Sequence, residues 1–404
     1  MKFNKWTLGL AAVGVVSLAS AACADETKMS AVQTALSNTT ISGYVDVSAQ
    51  WNLGTGNDFV APVAFQSSGS DFQSTGKADG FNLNVIDLTI DKPMDEGQWA
   101  SGYHVELWFG QDASLLQTGS INWAANYANS TFAGANQVGT DYAIRQAYIS
   151  LRTPIGNGID WKIGVFDTII GYESISSVNN PFYTHSYGFT IEPTTHTGIV
   201  GSYTFASWLS ASAGVVNTVG PVINNKAYFW GRSEYFKTYL ASLTLTAPQN
   251  WGWIAGSTLT GGVVTGTPTG PLPAQTSWYA GATLASPIAG IKFGASFDLL
   301  DLKGTSSDPW AVAVYGTYQA TDKLSFSGRA EYANNYLFKG GDVFGATATI
   351  QYDLWANVIS RLEFRWDHSF EPGWFGGNEV LLGPDNATFK HDAFMLAAQF
   401  IYKF

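Results

Sequence analysis

The last twelve residues, 393–404, carry the pattern that most restricts the fold of this chain. One side of the predicted strand is smaller and more polar, whereas the other bears Phe394, Leu396, Ala398, Phe400, Tyr402 and Phe404. Successive side chains of a strand point to opposite faces, so one face is apolar and the other is compatible with water. A soluble β-sandwich would show the same alternation. The aromatic C-terminal residue favours a strand with one face in lipid and the other toward a polar lumen.

The first 24 residues predict a secretory signal peptide. Two lysines precede an apolar run at 8–18, and Ala22-Cys23-Ala24 fits the small-x-small rule for cleavage after Ala24. Cleavage after Ala22 stays open and would leave Cys23 for lipid attachment, although Ser20 stands where a lipobox usually has Leu. Loss of the peptide removes the single cysteine and the two lysines, which changes the net charge from −11 to −13. The mature protein then has no disulfide and depends on backbone pairing and burial.

The composition is unusual for a water-soluble protein. Charged residues make up 13% of the chain, aromatic residues 15%, and there are 43 glycines, whereas soluble domains carry roughly 25% charged residues. No apolar run of 18 residues follows the signal peptide, so the sequence predicts no transmembrane helix. Low charge, many aromatic residues and no long apolar runs together indicate a β-barrel whose strands alternate between lipid and lumen.

Alternating segments recur along the whole chain and predict one antiparallel transmembrane β-barrel of about 16–18 strands. At that size a barrel encloses an aqueous channel. The predicted strands lie near 41–51, 81–91, 102–110, 143–153, 159–168, 196–205, 207–217, 226–237, 239–247, 253–264, 277–286, 290–300, 310–319, 323–333, 343–354, 357–368 and 393–404.

The connections between these strands differ in length in a regular way. Short ones carry turn residues, as at 154–158, 247–250, 287–290 and 321–322, and longer ones, as at 52–79 and 111–141, lie between them. Short periplasmic turns that alternate with long extracellular loops are typical of outer-membrane barrels. We therefore expect a polar periplasmic lead-in at 25–40 and a single barrel domain at 41–404.

Residues 361–367 place charges of both signs on one face of a predicted strand. Leu362, Phe364 and Trp366 alternate with four charged residues, a pattern that suits a wet lumen backed by lipid. Charged rows across a pore can select polar solutes, although each residue could instead pair with a neighbouring strand and stiffen the barrel. The candidate pore-lining residues on strands are Arg145, Lys162, Arg329, Glu331, Arg361, Glu363 and Arg365.

The stretch 145–200 contains short motifs that point to a family. In order, they are Gly171-Tyr172-Glu173, Asn179-Asn180-Pro181 and Glu192-Pro193-Thr194-Thr195-His196-Thr197-Gly198. Their succession resembles the β-barrel porin-2 family, the OmpL-like outer-membrane porins, from about Thr40 to Phe404. The resemblance implies a passive diffusion channel in a Gram-negative outer membrane, with no particular solute. The terminal Phe404 likewise resembles the signal by which such barrels reach the barrel-assembly machinery.

The segment 169–195 does not alternate and mixes polar and aromatic residues. A long irregular segment with packing residues of its own is more often functional than a linker. One interpretation is that it folds into the pore, where Glu173, Tyr172 and His185 form a constriction. The alternative is that it covers the extracellular rim, with Glu173 satisfied by an arginine of the wall.

Other kinds of function find little support in the residues. The acidic balance does not favour nucleic acid, which needs clustered Lys and Arg. The five histidines show no metal-ligand spacing, so we predict no metal site and no cofactor. Adjacent pairs such as His185-Ser186 point to opposite faces of a strand, which disfavours a hydrolase.

The sequence therefore predicts an outer-membrane porin that lets small hydrophilic solutes or ions diffuse passively, without catalysis. The alternatives are a channel specific for sugars or oligosaccharides and a secreted soluble all-β binding protein. The expected partners are outer-membrane lipid, the solutes and the assembly machinery. A homotrimer is compatible with a barrel of this size, but no strand carries a trimer-specific signal.

Overall fold

The computed structural model forms a β-barrel, and it describes residues 38–53, 64–66, 77, 79–116, 118, 141–224, 237–268, 274–304, 308–335, 341–371, 375 and 390–404. The signal peptide predicted at 1–24 and most of the lead-in predicted at 25–40 lie outside these ranges, as does nearly all of the strand predicted near 226–237. The strands are β1 (Thr40–Leu53), β2 (Gly80–Lys92), β3 (Ser101–Phe109), β4 (Tyr142–Thr153), β5 (Ile159–Asp167), β6 (Thr195–Ala206), β7 (Leu209–Val216), β8 (Thr238–Thr246), β9 (Thr258–Gly266), β10 (Gln275–Ala285), β11 (Ile291–Leu302), β12 (Trp310–Gln319), β13 (Leu324–Asn334), β14 (Val343–Trp355), β15 (Val358–Ser369) and β16 (Asp392–Lys403).

These 16 strands close into a barrel in which each strand pairs antiparallel with its neighbours in sequence. The barrel closes where β16 pairs with β1, from Tyr44 opposite Lys403 to Leu53 opposite Phe394. At the end of this seam, Phe404 N–H donates to Gly43 O and Gly43 N–H donates to Phe404 O, both at 3.0 Å. Closure pairs the backbone groups that an open sheet would leave free at its edges, which the lipid interior could not solvate.

The two faces of β16 follow the alternation in its sequence. Phe394, Phe400, Tyr402 and Phe404 are 38–52% exposed on the outside of the barrel, whereas Met395, Ala397, Gln399 and Ile401 are 2% exposed or less on the inside. The first strand behaves in the same way, because Asp46, Ser48 and Gln50 are buried inside while Val47 and Trp51 are exposed outside. The apolar outer face and polar inner face are those of a transmembrane barrel.

Connection lengths confirm the predicted asymmetry. The periplasmic turns are short, the longest being 247–257, which contains a 3₁₀ helix at Gly252–Ile254. The extracellular connections include 110–141, which begins with helix α1 (Gln111–Leu116), and 168–194, which contains helix α2 (Tyr187–Ile191). No helix among the described residues is long and apolar enough to cross a membrane.

Candidate pore constriction

The connection 168–194, called here the inner segment, turns into the barrel instead of covering its rim. It leaves the end of β5 and returns to β6, and Thr168 N–H donates to Thr194 O at 2.9 Å where the two ends meet. From this neck it reaches the opposite wall, where it bonds to inward-facing residues of β1, β13 and β15. The inner segment therefore crosses the lumen.

Glu173 is the buried acid at the centre of this crossing. Its carboxylate lies 2.9 Å from Arg329 Nη1 on β13 and accepts a bond of 3.1 Å from Tyr315 Oη on β12. The Glu173 and Arg329 side chains are only 2% and 0% exposed. Burial works to raise the pKa of Glu173, but Arg329 and His185 outweigh it and lower that pKa to about 2. Glu173 is consequently ionised and fixed to the wall.

His185 and Ser186 connect Glu173 to helix α2. The Glu173 carboxylate lies 3.1 Å from His185 Nδ1 and accepts from Ser186 N–H at 3.1 Å. Ser186 is the N-cap of α2, and its hydroxyl accepts from Phe189 N–H at 3.1 Å, which satisfies one of the free donors of the first turn. Burial lowers the pKa of His185, so the ring is neutral at pH 7 and stacks on Phe189 with 3.9 Å between ring centroids.

Three arginines of the wall bind carbonyl groups of the inner segment. Arg329 donates to Thr184 O at 2.9 Å, and Arg365 donates to His185 O at 2.9 Å. Arg361 donates to Ser177 O at 2.8 Å. A guanidinium presents several donors in a fixed plane, so it can bind a carbonyl while it also pairs with a carboxylate.

Two wall carboxylates bind backbone N–H groups of the same stretch. Glu363 accepts from Tyr183 N–H at 2.6 Å and from Thr184 N–H at 2.9 Å. Glu331 accepts from Tyr187 N–H at 2.5 Å. The Tyr187 hydroxyl also donates to Asp367. Donors and acceptors from β13 and β15 thus satisfy polar backbone that has no regular partner of its own.

The charge row predicted from 361–367 faces the lumen as its alternation indicates, but the inner segment covers it. Glu363 and Arg365 are 0% exposed, and Arg361 is 4% exposed. Within the row, Arg365 pairs with Asp367 at 2.8 Å and with Glu331 at 3.1 Å. These residues contact the inner segment directly, so they anchor it to the wall.

Arg145 and Lys162 form a second charged region on β4 and β5. Arg145 pairs with Glu106 and lies 2.8 Å from Asp167. Lys162 Nζ lies 4.6 Å from the centroid of the Tyr148 ring. Lys162 lies opposite Ser150 in the β4–β5 pair. Arg145 is the extra residue where the β3–β4 register shifts, between Ile144 opposite Leu107 and Gln146 opposite Glu106, and it is 4% exposed.

Tyr172 packs on the wall beside Glu173. Its ring stacks on Tyr315 with 4.2 Å between centroids, and its hydroxyl occupies the space that a Cβ at Gly294 would need. Burial raises the pKa of Tyr172 to about 12, so the phenol is neutral. The preceding Ile170 packs with Val200, Leu240 and Val264 in an apolar patch.

Sequence reasoning missed contributions from two other extracellular connections. Phe65 contacts the rings of His185 and Phe189, with centroids 5.5 Å and 6.2 Å away, and Ala64 N–H donates to Thr190 Oγ1 at 2.9 Å. A buried ion pair joins Lys77 to Asp112 of α1 at 2.9 Å. No local pattern in the sequence predicts either contact, because both depend on which loops the closed barrel brings together.

The described residues contain no group of three or more His, Cys, Asp or Glu side chains that could hold a metal ion.

Comparison with known protein families identifies the chain at residues 38–404, which match the model described as "Putative beta-barrel porin-2, OmpL-like". The chain belongs to this family. It is accordingly an outer-membrane porin, as the motifs at 171–198 and the 16-stranded fold indicated. A comparison with curated proteins gives no match.

Solved porin structures share the architecture at low sequence identity. The outer-membrane channel DcaP of Acinetobacter baumannii is 13% identical, with a TM-score of 0.55 over 91% of this chain and 97% of that one. An anion-selective porin from Comamonas acidovorans is 9% identical, with a TM-score of 0.56 over 91% and 99%. The trimer form of OmpT from Vibrio cholerae is 14% identical, with a TM-score of 0.54 over 91% and 99%. At these identities the likeness establishes the fold of the β-barrel porin-2 chain.

Proposed function

We propose that small hydrophilic solutes or ions diffuse passively through the lumen and that the inner segment forms its narrowest part. The observation that carries the proposal is the ion pair of Glu173 with Arg329, which fixes a segment 156 residues away in sequence against the far wall. A segment held in this position reduces the cross-section of the lumen, and Tyr172, Glu173 and His185 are among the residues whose contacts hold it there.

The test is single-channel conductance of detergent-extracted protein in a planar bilayer, with wild type beside Glu173→Gln. We expect discrete steps of stable size, and a changed ion preference and conductance in the variant, because Arg329 then loses one of its two carboxylates. Glu371→Gln is the matched control, since it removes the same charge at the exposed extracellular end of β15.

Two results would contradict the proposal in different ways. If the folded barrel gives no conductance steps, the protein is not a passive channel. Steps that are identical in wild type and Glu173→Gln would place the constriction elsewhere.

For the ions themselves we propose a mild preference for cations, because the mature chain carries a net charge of −13 when the two signal-peptide lysines are subtracted from −11. The reversal potential under a salt gradient measures this preference directly. Liposome swelling with graded sugars separates general diffusion from a sugar-specific site, which would saturate with one sugar.

The proposal includes no catalytic step and no cofactor. It includes assembly through the C-terminal strand and Phe404, and a homotrimer. The trimeric OmpT structure supports the oligomer by analogy of fold only.

A further inference from the structure

A pair of carboxyl groups holds the neck of the inner segment to β11. Glu192 directly follows α2, where its N–H donates to Gly188 O at 3.2 Å, and its carboxyl group faces that of Asp298 on β11. Gly171 and Gly188 approach the pair so closely that a Cβ at either position would collide with Glu192 or Asp298 respectively. The chain is therefore packed around these two side chains.

No cation among the described residues neutralises the pair. Among the described residues, no Lys or Arg forms an ion pair with Glu192 or Asp298, and Asp298 Oδ1 has no hydrogen-bond partner. Asp298 is 3% exposed. Glu192 is partly exposed. Two carboxyl groups that face each other, one of them buried, cannot both ionise at low cost, so one of them keeps a proton.

The groups around the pair increase this tendency. Glu173, from the same segment, adds a further negative charge, and the neutral phenol of Tyr172 and the side chain of Tyr279 on β10 lie nearby. The three arginines that contact the segment have other partners. Arg329 forms ion pairs with Glu173 and Glu331, and Arg365 forms ion pairs with Glu331 and Asp367. Arg361 donates hydrogen bonds to Ser177 O, Gln351 and Gln399. Burial and Asp298 together raise the pKa of Glu192 well above its usual value.

We propose that the proton shared by Glu192 and Asp298 is a latch that regulates the constriction, docking the C-terminal end of α2 against β11 while it is bound and releasing this end when it is lost. This rests on the proposed channel function. The start of α2 and the residues before it stay in place, because Tyr183, Thr184 and Tyr187 remain bonded to Glu363 and Glu331. Release therefore moves the neck and the C-terminal end of α2 and produces a second conductance level.

The direction with pH follows from linkage. The protonated pair favours the docked state, so docking is strongest at low pH and weakens as the pH rises through the pKa of the docked pair. If Glu192 regains an ordinary pKa on release, the ratio of released to docked states rises about tenfold per pH unit between that ordinary pKa and the raised pKa of the docked pair. Burial lowers the pKa of His185, so the titration of this ring does not extend into the alkaline part of the range.

The test is the ratio of the two conductance levels in planar bilayers between acid and alkaline pH. In wild type, the logarithm of this ratio should rise with a slope of about one per pH unit. Glu192→Gln should abolish the slope, because an amide donates to Asp298 at every pH. Asp298→Asn should also abolish the slope, because the amide at position 298 then donates to Glu192 at every pH.

The control is Glu96→Gln, an exposed carboxylate in the turn between β2 and β3, which should keep the wild-type slope. The latch would be overturned if wild type showed no second conductance level, or if Glu192→Gln kept the wild-type slope of the level ratio against pH. In either case, discrete conductance steps would still support the channel.

Infrared spectroscopy of the folded barrel in detergent gives a readout that needs no conduction. At slightly alkaline pH, the stretching band of protonated carboxyl groups should be stronger in wild type than in Glu192→Gln or Asp298→Asn, because each variant lacks the shared proton. If this difference is found in a protein that gives no channel steps, the shared proton is supported and the channel is refuted. Bands of equal strength in wild type and both variants would overturn the shared proton.

Discussion

At the scale of single residues, Glu173 has a more specific role than its sequence position indicates. It contacts Arg329, Tyr315, His185 and the backbone of Ser186, so one carboxylate joins two strands of the wall to the start of α2. The two interpretations drawn from the sequence each contain part of this geometry. The carboxylate binds a wall arginine, and it does so inside the barrel.

The lowered pKa of Glu173 predicts a stability difference that depends on pH. Because its folded pKa is about 2, the contribution of Glu173 is present above an unfolded pKa of roughly 4.3 and is lost as the pH falls through the folded value. Glu173→Gln should lower the free energy of unfolding by about 3 kcal/mol at neutral pH, since loss of one member of a buried pair leaves its partner under-compensated.

Denaturant unfolding in detergent micelles at several pH values measures this difference. The gap between wild type and Glu173→Gln should narrow below about pH 4 and be small near pH 2. A gap that is independent of pH would show that the variant acts through packing alone.

At the scale of elements, β15 shows how a strand separates lipid from lumen residue by residue. On β15, Leu362 and Phe364 are 49% and 43% exposed on the outside, whereas Glu363 between them is fully buried inside. This strict alternation is why β15 was predicted from its sequence, and why a shift of register by one residue would place its charges in lipid.

Phe364→Arg should therefore destabilise the barrel by about 2–4 kcal/mol, the usual cost of a cation on the lipid face near the middle of the bilayer. Tyr402→Arg, on the outer face near the periplasmic end of β16, should cost only about 0–1 kcal/mol. Reversible unfolding from lipid bilayers measures both. Equal costs at the two positions would argue against a membrane-embedded outer face at Phe364.

At the scale of the whole molecule, the inner segment depends on the barrel wall, whereas the wall does not depend on the inner segment. The wall closes through the hydrogen bonds of β1 with β16 and of every other adjacent pair. The inner segment has only a five-residue helix and takes most of its polar partners from β12, β13 and β15.

Replacement of residues 174–191 by a short Gly-Ser linker should thus leave a folded barrel that still changes its gel mobility on heating. Its conductance should rise several-fold, because the segment no longer occupies the lumen. The uncovered Arg and Glu side chains of β13 and β15 can pair with each other and with water. A truncated chain that fails to fold would show that the segment is required for closure of the wall.

The sequence by itself determined the barrel, its closing strand, its lumen faces and the segment that lacks alternation. A period of two residues is a local property, and the contrast between lipid and water imposes it separately on every strand. Only the tertiary structure decided that the inner segment covers the row at Arg361–Asp367, that Glu173 pairs with Arg329, and that Glu192 meets Asp298. These contacts join residues more than 100 positions apart, and no local pattern encodes which inward side chains a closed barrel brings to the same height.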